Sequence, residues 1–159
     1  FAFCPVHRLA MDKTDAEPQQ MQSKKDRLQK VLDSNPVATY VKDRLGKRVI
    51  RRILVANNGM AATKAITSMR KWAFLEFGYE QVLTFVAMAT QDDLNANAEF
   101  IRLADTYIEV PSGKNVNNYA NVDLICKIAK EQGVDAVWPG WGHASENPKL
   151  PAKLKELGI

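Results

Sequence analysis

Two stretches of apolar and β-branched residues, Val49–Ala56 (VIRRILVA) and Val82–Ala89 (VLTFVAMA), constrain this chain more than any other feature. The second is too apolar to alternate. It reads as a strand buried on both faces, which is the environment of a parallel sheet covered by helices on both sides. Between the two, Asn57-Asn58-Gly59 forms a tight turn. Met60–Phe77 then carries Ala62, Ile66, Met69 and Ala73 on one helical face, with Gly78 as its stop. The alternation continues. Thr90, with Asp93 three residues later, opens a capping-box-like helix expected to run to about Ala104. Thr106–Val110 is a short strand. Asn121 caps a helix to Gln132, whose apolar face is Val122, Ile125, Ile128 and Ala129, and Gly133 ends it. Asp135–Trp138 is a further strand, and Asn147 with Pro148 forms the N-cap and N1 pair of a last helix. Strands alternating with helices over residues 48–159 predict the α/β class, a doubly wound parallel sheet with right-handed crossovers.

The first third differs. Residues 11–34 are polar, with Pro18 and a Gln-rich patch, and Gln19–Leu32 shows weak helical amphipathicity. They read as a linker or a loosely docked helix. Pro36–Leu45 is a short amphipathic helix through Val37, Tyr40, Val41 and Leu45. The expected organisation is therefore a polar, partly helical extension over 1–35 and a folded unit over 36–159. Residues 1–52 hold 12 Lys/Arg against 6 Asp/Glu, and residues 53–159 hold 10 against 12. The basic excess lies outside the part that looks folded, which argues against a nucleic-acid-binding fold. Lys47, Arg48, Arg51 and Arg52 read as a solvated strand entrance with edge-protecting cations.

Val82–Ala89 is the longest near-apolar run and is too short to cross a bilayer, so no transmembrane segment is expected. Two cysteines, Cys4 and Cys126, make no disulfide framework, and with only His7 and His143 beside them no metal site is expected. Phe1–Ala10 lacks the long apolar stretch and cleavage site of a signal peptide. The chain opens on Phe1 and ends after a helical segment at Gly158-Ile159, and both ends are expected to be truncations.

Ligands of open α/β sheets gather at the carboxyl ends of the strands, and three loops fall there. Ala56–Ala62 is a small-residue strand-turn-helix loop, either a compact turn or a site whose N–H groups face an anion. It lacks Gly-x-Gly-x-x-Gly, and Thr90 stands where a ribose-binding acid belongs, so a dinucleotide site is weakly supported. Pro111–Tyr119 is not a Walker loop and reads as an Asn-rich surface loop. Pro139–Pro148 (PGWGHASENP) is the most informative. Gly140 and Gly142 allow close backbone approach, Trp141 is costly to expose without a use, and Glu146 and Asn147 bring a carboxylate and an amide to a helix start. The alternative is that Ser145 and Asn147 only cap the helix while Trp141 packs into the core.

ILVANNGMAA, FVAMATQDDLNANAEFIRLADTYIEVP, NNYANVDLI and AVWPGWGHASENPKLP closely resemble the opening of the biotin carboxylase domain of eukaryotic multidomain acetyl-CoA carboxylases, over residues 36–159. Bacterial relatives and those carboxylating pyruvate or propionyl-CoA tend to read Ala-Asn-Arg-Gly and Gly-Tyr-Gly-Phe-Leu-Ser-Glu-Asn at these places. This chain has Asn58 and the Trp141, His143, Ala144 set. The resemblance implies a Rossmann-like subdomain preceding an ATP-grasp fold. It implies a parent that uses ATP and Mg²⁺ to activate bicarbonate and carboxylates biotin held on a carrier domain. A carboxyltransferase domain then passes the carboxyl group to acetyl-CoA, giving malonyl-CoA for fatty acid synthesis. The main ATP and metal ligands would lie after Ile159, so the fragment alone is expected to hold no catalytic residue and to be inactive. Trp141, Gly142 and Glu146 fall in the loop that contributes to the biotin pocket. Lys64 and Ser68 match a helix face that forms an allosteric surface for a macrocyclic polyketide inhibitor, and Thr67 stands where an arginine is common. The resemblance further implies a homo-oligomeric parent in the cytoplasm or a plastid. The alternatives are another biotin-dependent carboxylase, a nucleotide-binding Rossmann module, or a non-catalytic module using the basic N-terminal third.

Overall fold

The computed structural model describes residues 35–159. The expected linker, the helix over 19–32, Cys4 and His7 lie outside the described residues. Helix α1 (Pro36–Asp43) is followed by strand β1 (Arg52–Val55), helix α2 (Gly59–Phe77) and strand β2 (Thr84–Thr90). Two short helices follow, α3 (Gln91–Asn95) and α4 (Glu99–Leu103), and then β3 (Thr106–Val110), α5 (Val122–Glu131), β4 (Ala136–Trp138) and α6 (Lys149–Glu156). One-turn 3₁₀ segments occupy Glu80–Val82 and Asn115–Asn117.

The four strands form one sheet in the order β3-β2-β1-β4, and every pairing is parallel. Successive strand residues point to opposite faces, and here both faces are apolar. Ile53, Val55, Phe85 and Ala87 pack with Val37, Ala62, Ile66, Ala73 and Phe100 of α1, α2 and α4. Leu54, Ala56, Val86 and Met88 pack with Ile125, Ile128 and Ala129 of α5 and with Leu150 and Leu154 of α6. The doubly wound α/β sheet expected from the sequence is therefore present, with helices on both sides.

Four local expectations are corrected. The helix expected to run to Ala104 breaks after Asn95. Asn97 takes a left-handed φ of 48°, a conformation that asparagine tolerates better than most residues. The Ala98 N–H reaches back to the Asp93 carbonyl at 3.0 Å. The second piece then buries Phe100 completely. Arg48, Arg51 and Arg52 do not protect an edge, because β1 lies between β2 and β4. The first strand is also shorter than its apolar run, beginning at Arg52 in register with Thr84. The last helix starts at Lys149 rather than Pro148. Even so, the Asn147 Oδ1 accepts the Lys149 N–H at 3.0 Å, so Asn147 does satisfy a helix-start donor.

Aspartates fasten the amino ends of the strands. Asp135 Oδ2 accepts the N–H groups of both Arg51 and Arg52 at 2.8 Å, joining the entry of β4 to that of β1. Asp105 Oδ2 accepts the Phe85 N–H at 2.7 Å and pairs with Arg70 at 3.1 Å, joining β3, β2 and α2. Removing such an acceptor strands partly buried donors, at a cost of roughly 1–3 kcal/mol. Asp135→Ala is expected to lower unfolding stability by about 2 kcal/mol on that basis. Urea denaturation of the two chains checks this, and an unchanged midpoint would show that the two N–H groups are satisfied by water.

Candidate functional site

Because β1 sits at the interior with β2 on one side and β4 on the other, the chain leaves β1 and β4 in opposite directions. α2 lies on one face and α6 on the other. This reversal of winding falls at the carboxyl ends of the two strands, the place where open α/β sheets bind ligands. The loops Ala56–Gly59 and Pro139–Pro148 meet there.

Asn57 makes the junction. It is 2% exposed, and its Nδ2 donates to the Pro139 carbonyl at 2.7 Å and to the Trp141 carbonyl at 3.1 Å. Its Oδ1 accepts the Asn58 N–H at 2.8 Å. One carboxamide thus satisfies polar groups from both loops. Gly140 is required by the same contact. Its φ is +65°, and a Cβ there would lie 2.7 Å from Asn57 Nδ2 and 2.7 Å from the Trp138 ring.

Beyond Gly140 the loop projects outward. Gly142 has φ +73° and open space where a side chain would stand. Ser145 turns the loop back, its Oγ donating to the Gly142 carbonyl at 2.7 Å and its N–H to the same oxygen at 3.0 Å. Among the described residues, the N–H groups of Trp141, Gly142 and His143 have no hydrogen-bond partner. Trp141 is 86% exposed, so it does not enter the core. Glu146 is exposed and makes no hydrogen bond or ion pair among the described residues. The loop therefore offers a flat indole, free backbone donors and an unpaired carboxylate at this end of the sheet. Trp141, Gly142 and Glu146 are brought together, though only as neighbours on one loop.

Lys64 and Ser68 lie elsewhere, one turn apart and exposed on the outer face of α2, with Thr67 beside them. A cleft of about 570 Å³ opens next to this face, lined by Thr67, Arg70, Phe74, Arg102 and Asp105 among others, but not by Lys64 or Ser68.

The sequence reading places Asp93 correctly in a capping box with Thr90 but misses its bond to Tyr119, the burial of Tyr119 and the bridging role of Asn57. Tyr119 is 1% exposed. Its hydroxyl donates to Asp93 Oδ2 at 2.6 Å and lies 3.3 Å from the Met88 carbonyl. Burial, followed by the hydrogen bond to and charge of Asp93, pushes the phenol far above its ordinary pKa of 10.0 and keeps it a donor. Asp93 is held in turn by the capping box with Thr90, whose N–H it accepts at 3.1 Å. Asn118 next door is buried, its Nδ2 donating to the Pro111 carbonyl at 2.9 Å. The supposed surface loop 111–119 thus ends in two core residues. Within the sequence, the one available clue was Asp93, which was read only as a capping acid.

The parallel sheet, its winding reversal and the glycine-flanked tryptophan loop define the leading α/β subdomain of a biotin carboxylase. The chain belongs to that family: the model for "Biotin carboxylase, N-terminal domain" matches residues 49–159. Its sequence is 61% identical over 125 residues to acetyl-CoA carboxylase of Saccharomyces cerevisiae, covering 79% of this chain and 6% of that protein. It is 62% identical over 114 residues to acetyl-CoA carboxylase 2 of Arabidopsis thaliana, covering 72% of this chain and 5% of that protein. A further relative, 58% identical over 115 residues, is a mitochondrial acetyl-CoA carboxylase of Saccharomyces cerevisiae. The chain thus spans a small part of the length of these relatives. Among solved structures, the complete pyruvate carboxylase of Rhizobium etli superposes with a TM-score of 0.56 at 26% identity, covering 69% of this chain and 10% of that one. The biotin carboxylase domain of a thermophilic 2-oxoglutarate carboxylase shares the fold, with a TM-score of 0.58 at 24% identity over 69% of this chain and 22% of that one. No helix among the described residues is long and apolar enough to cross a membrane.

Asn57→Asp replaces the donor at Pro139 and Trp141 with a carboxylate oxygen facing two carbonyls. It is expected to cost about 2–3 kcal/mol of stability, as loss of a buried donor with repulsion does. Hydrogen exchange at residues 139–145 should rise more than at β2. Equal exchange in both chains would show that the loop is held without Asn57.

Proposed function

We propose that residues 36–159 form the leading subdomain of the biotin carboxylase component of an acetyl-CoA carboxylase, with residues 1–35 as an extension. In this reading the Gly140–Asn147 loop forms one wall of the biotin site. The observation that carries it is the outward Trp141-Gly142-His143 segment, fastened at its base by Asn57 and carrying backbone donors without partners. Biotin's ureido ring is flat and presents a carbonyl acceptor. An exposed indole shelters such a ring, and a free N–H at Gly142 meets the carbonyl without desolvating a charge. Glu146 closes the same motif at the helix end of the loop. The parent, by family, uses bicarbonate and ATP with Mg²⁺ to carboxylate biotin on a carrier domain, and a carboxyltransferase domain passes the carboxyl group to acetyl-CoA.

The residues present fit biotin and do not fit the nucleotide or the metal. Among the described residues no group of three His, Cys, Asp or Glu converges on a point, and the loop carries no lysine or arginine between Lys130 and Lys149. Phosphoryl transfer depends on placing cations and carboxylates together around the phosphates. We therefore assign those groups to other parts of the parent.

Gly142→Val fills the open space and strains a left-handed backbone. In the parent enzyme the expected outcome is at least a tenfold fall in kcat/KM for free biotin, about 1.4 kcal/mol, with thermal stability and the KM for ATP preserved. An unchanged kcat/KM for biotin would remove the loop from the site.

A second surface follows from Lys64 and Ser68, which we assign to binding of a macrocyclic polyketide inhibitor. Thr67 supplies no guanidinium there, and an arginine would add several donors in a fixed fork. Thr67→Arg is expected to tighten the inhibitor's Kd about tenfold, the scale of one charge-assisted hydrogen bond. Equal Kd values by calorimetry would count against that surface.

A further inference from the structure

We propose that Tyr119 and His143 act together as positioning residues for the outward loop, tying it to the end of β2 independently of the Asn57 fastening to β1. The inference rests on the loop's assignment to biotin only for its kinetic consequence. His143 is the one non-glycine residue of the segment Gly140–His143 with a left-handed backbone, at φ +51°. Histidine adopts this conformation more readily than most residues, though less readily than glycine, and a packed neighbour helps to hold it. The Tyr119 ring is such a neighbour. Its centroid lies 5.7 Å from that of the His143 ring, with the planes tilted by 40°.

Tyr119 is itself fixed. Its hydroxyl is held by Asp93, and Asp93 accepts the Thr90 N–H at the end of β2. A rigid series therefore runs from the central sheet through Asp93 and Tyr119 to His143, and so to the backbone that carries the free N–H of Gly142. Ala144, which follows, is fully buried, so the loop has a fixed floor beyond His143 as well. Among the described residues His143 makes no hydrogen bond or ion pair, and the contact on which the proposal rests is its ring against that of Tyr119.

Two variants separate the ring contact from the fold. His143→Asn keeps a residue that tolerates the left-handed backbone and removes the ring. Tyr119→Phe keeps the ring and removes its bond to Asp93. In the 159-residue chain, His143→Asn is expected to speed amide exchange at residues 141–145 about tenfold, the scale of an aromatic pair. Tyr119→Phe should speed it by a smaller factor, and the double variant no more than His143→Asn alone. Exchange in β1 and β2 should be unchanged. In the parent enzyme His143→Asn should raise the KM for biotin about tenfold and Tyr119→Phe by a smaller factor, with the KM for ATP unaltered in both. Native exchange rates in His143→Asn, or strictly additive effects of the two substitutions, would overturn the proposal. Faster exchange with an unaltered biotin KM would uphold the positioning role and remove biotin from the loop.

Discussion

The carboxamide of Asn57 is the contact on which the arrangement of this site depends. In a parallel sheet wound in both directions, the two loops at the reversal diverge, and nothing in the ladder of backbone bonds brings them back together. A buried amide can do so because it carries both donors and an acceptor, and because leaving any of them unmet inside the protein is expensive. Asn57 bonds two carbonyls of the far loop and one N–H of its own turn. The far loop answers with Gly140, where the absence of a side chain leaves room for both the amide and the Trp138 ring. An aspartate would repel the two carbonyls, and a longer residue at 140 would displace the amide.

The two ends of the sheet are built differently for a physical reason. At the amino ends, Asp105 and Asp135 close the entries of neighbouring strands onto one another. At the carboxyl ends Asn57 joins the first loop to the last, Tyr119 joins the 111–119 loop to Asp93, and Asn118 closes that loop on itself. The first arrangement secures the fold. The second fixes three loops relative to one another while leaving the backbone donors of Trp141–His143 unspent, which is what a recognition surface requires.

Much of this was legible in the sequence because its signals are local. The apolar run at Val82–Ala89 marks a strand buried on two sides, the Thr90/Asp93 pair marks a helix start, and Asn121 marks another. The glycines of PGWGHASENP marked the loop that reaches the winding reversal. What stayed hidden depends on residues far apart in the chain. Asn57 reads as one of two turn asparagines until Pro139 and Trp141 arrive from more than eighty positions away. Tyr119 sits in a polar stretch that looks like a surface loop, and only packing against Asp93 makes it a core residue. The central position of β1 follows from strand order, which no local pattern encodes, so the nearby arginines looked like guards of an edge. The break at Asn97 escaped notice because the apolar spacing runs through it and the asparagine alone carries the signal.

The central claim is that the free N–H groups of the outward loop meet biotin. The most direct measurement is amide chemical shift in the isotopically labelled parent biotin carboxylase during titration with free biotin. Saturable shifts at Trp141, Gly142 and His143, with those at Lys64 and Ser68 unmoved, are the predicted result. Saturation of biotin binding with the Trp141–His143 amides unshifted would contradict the account.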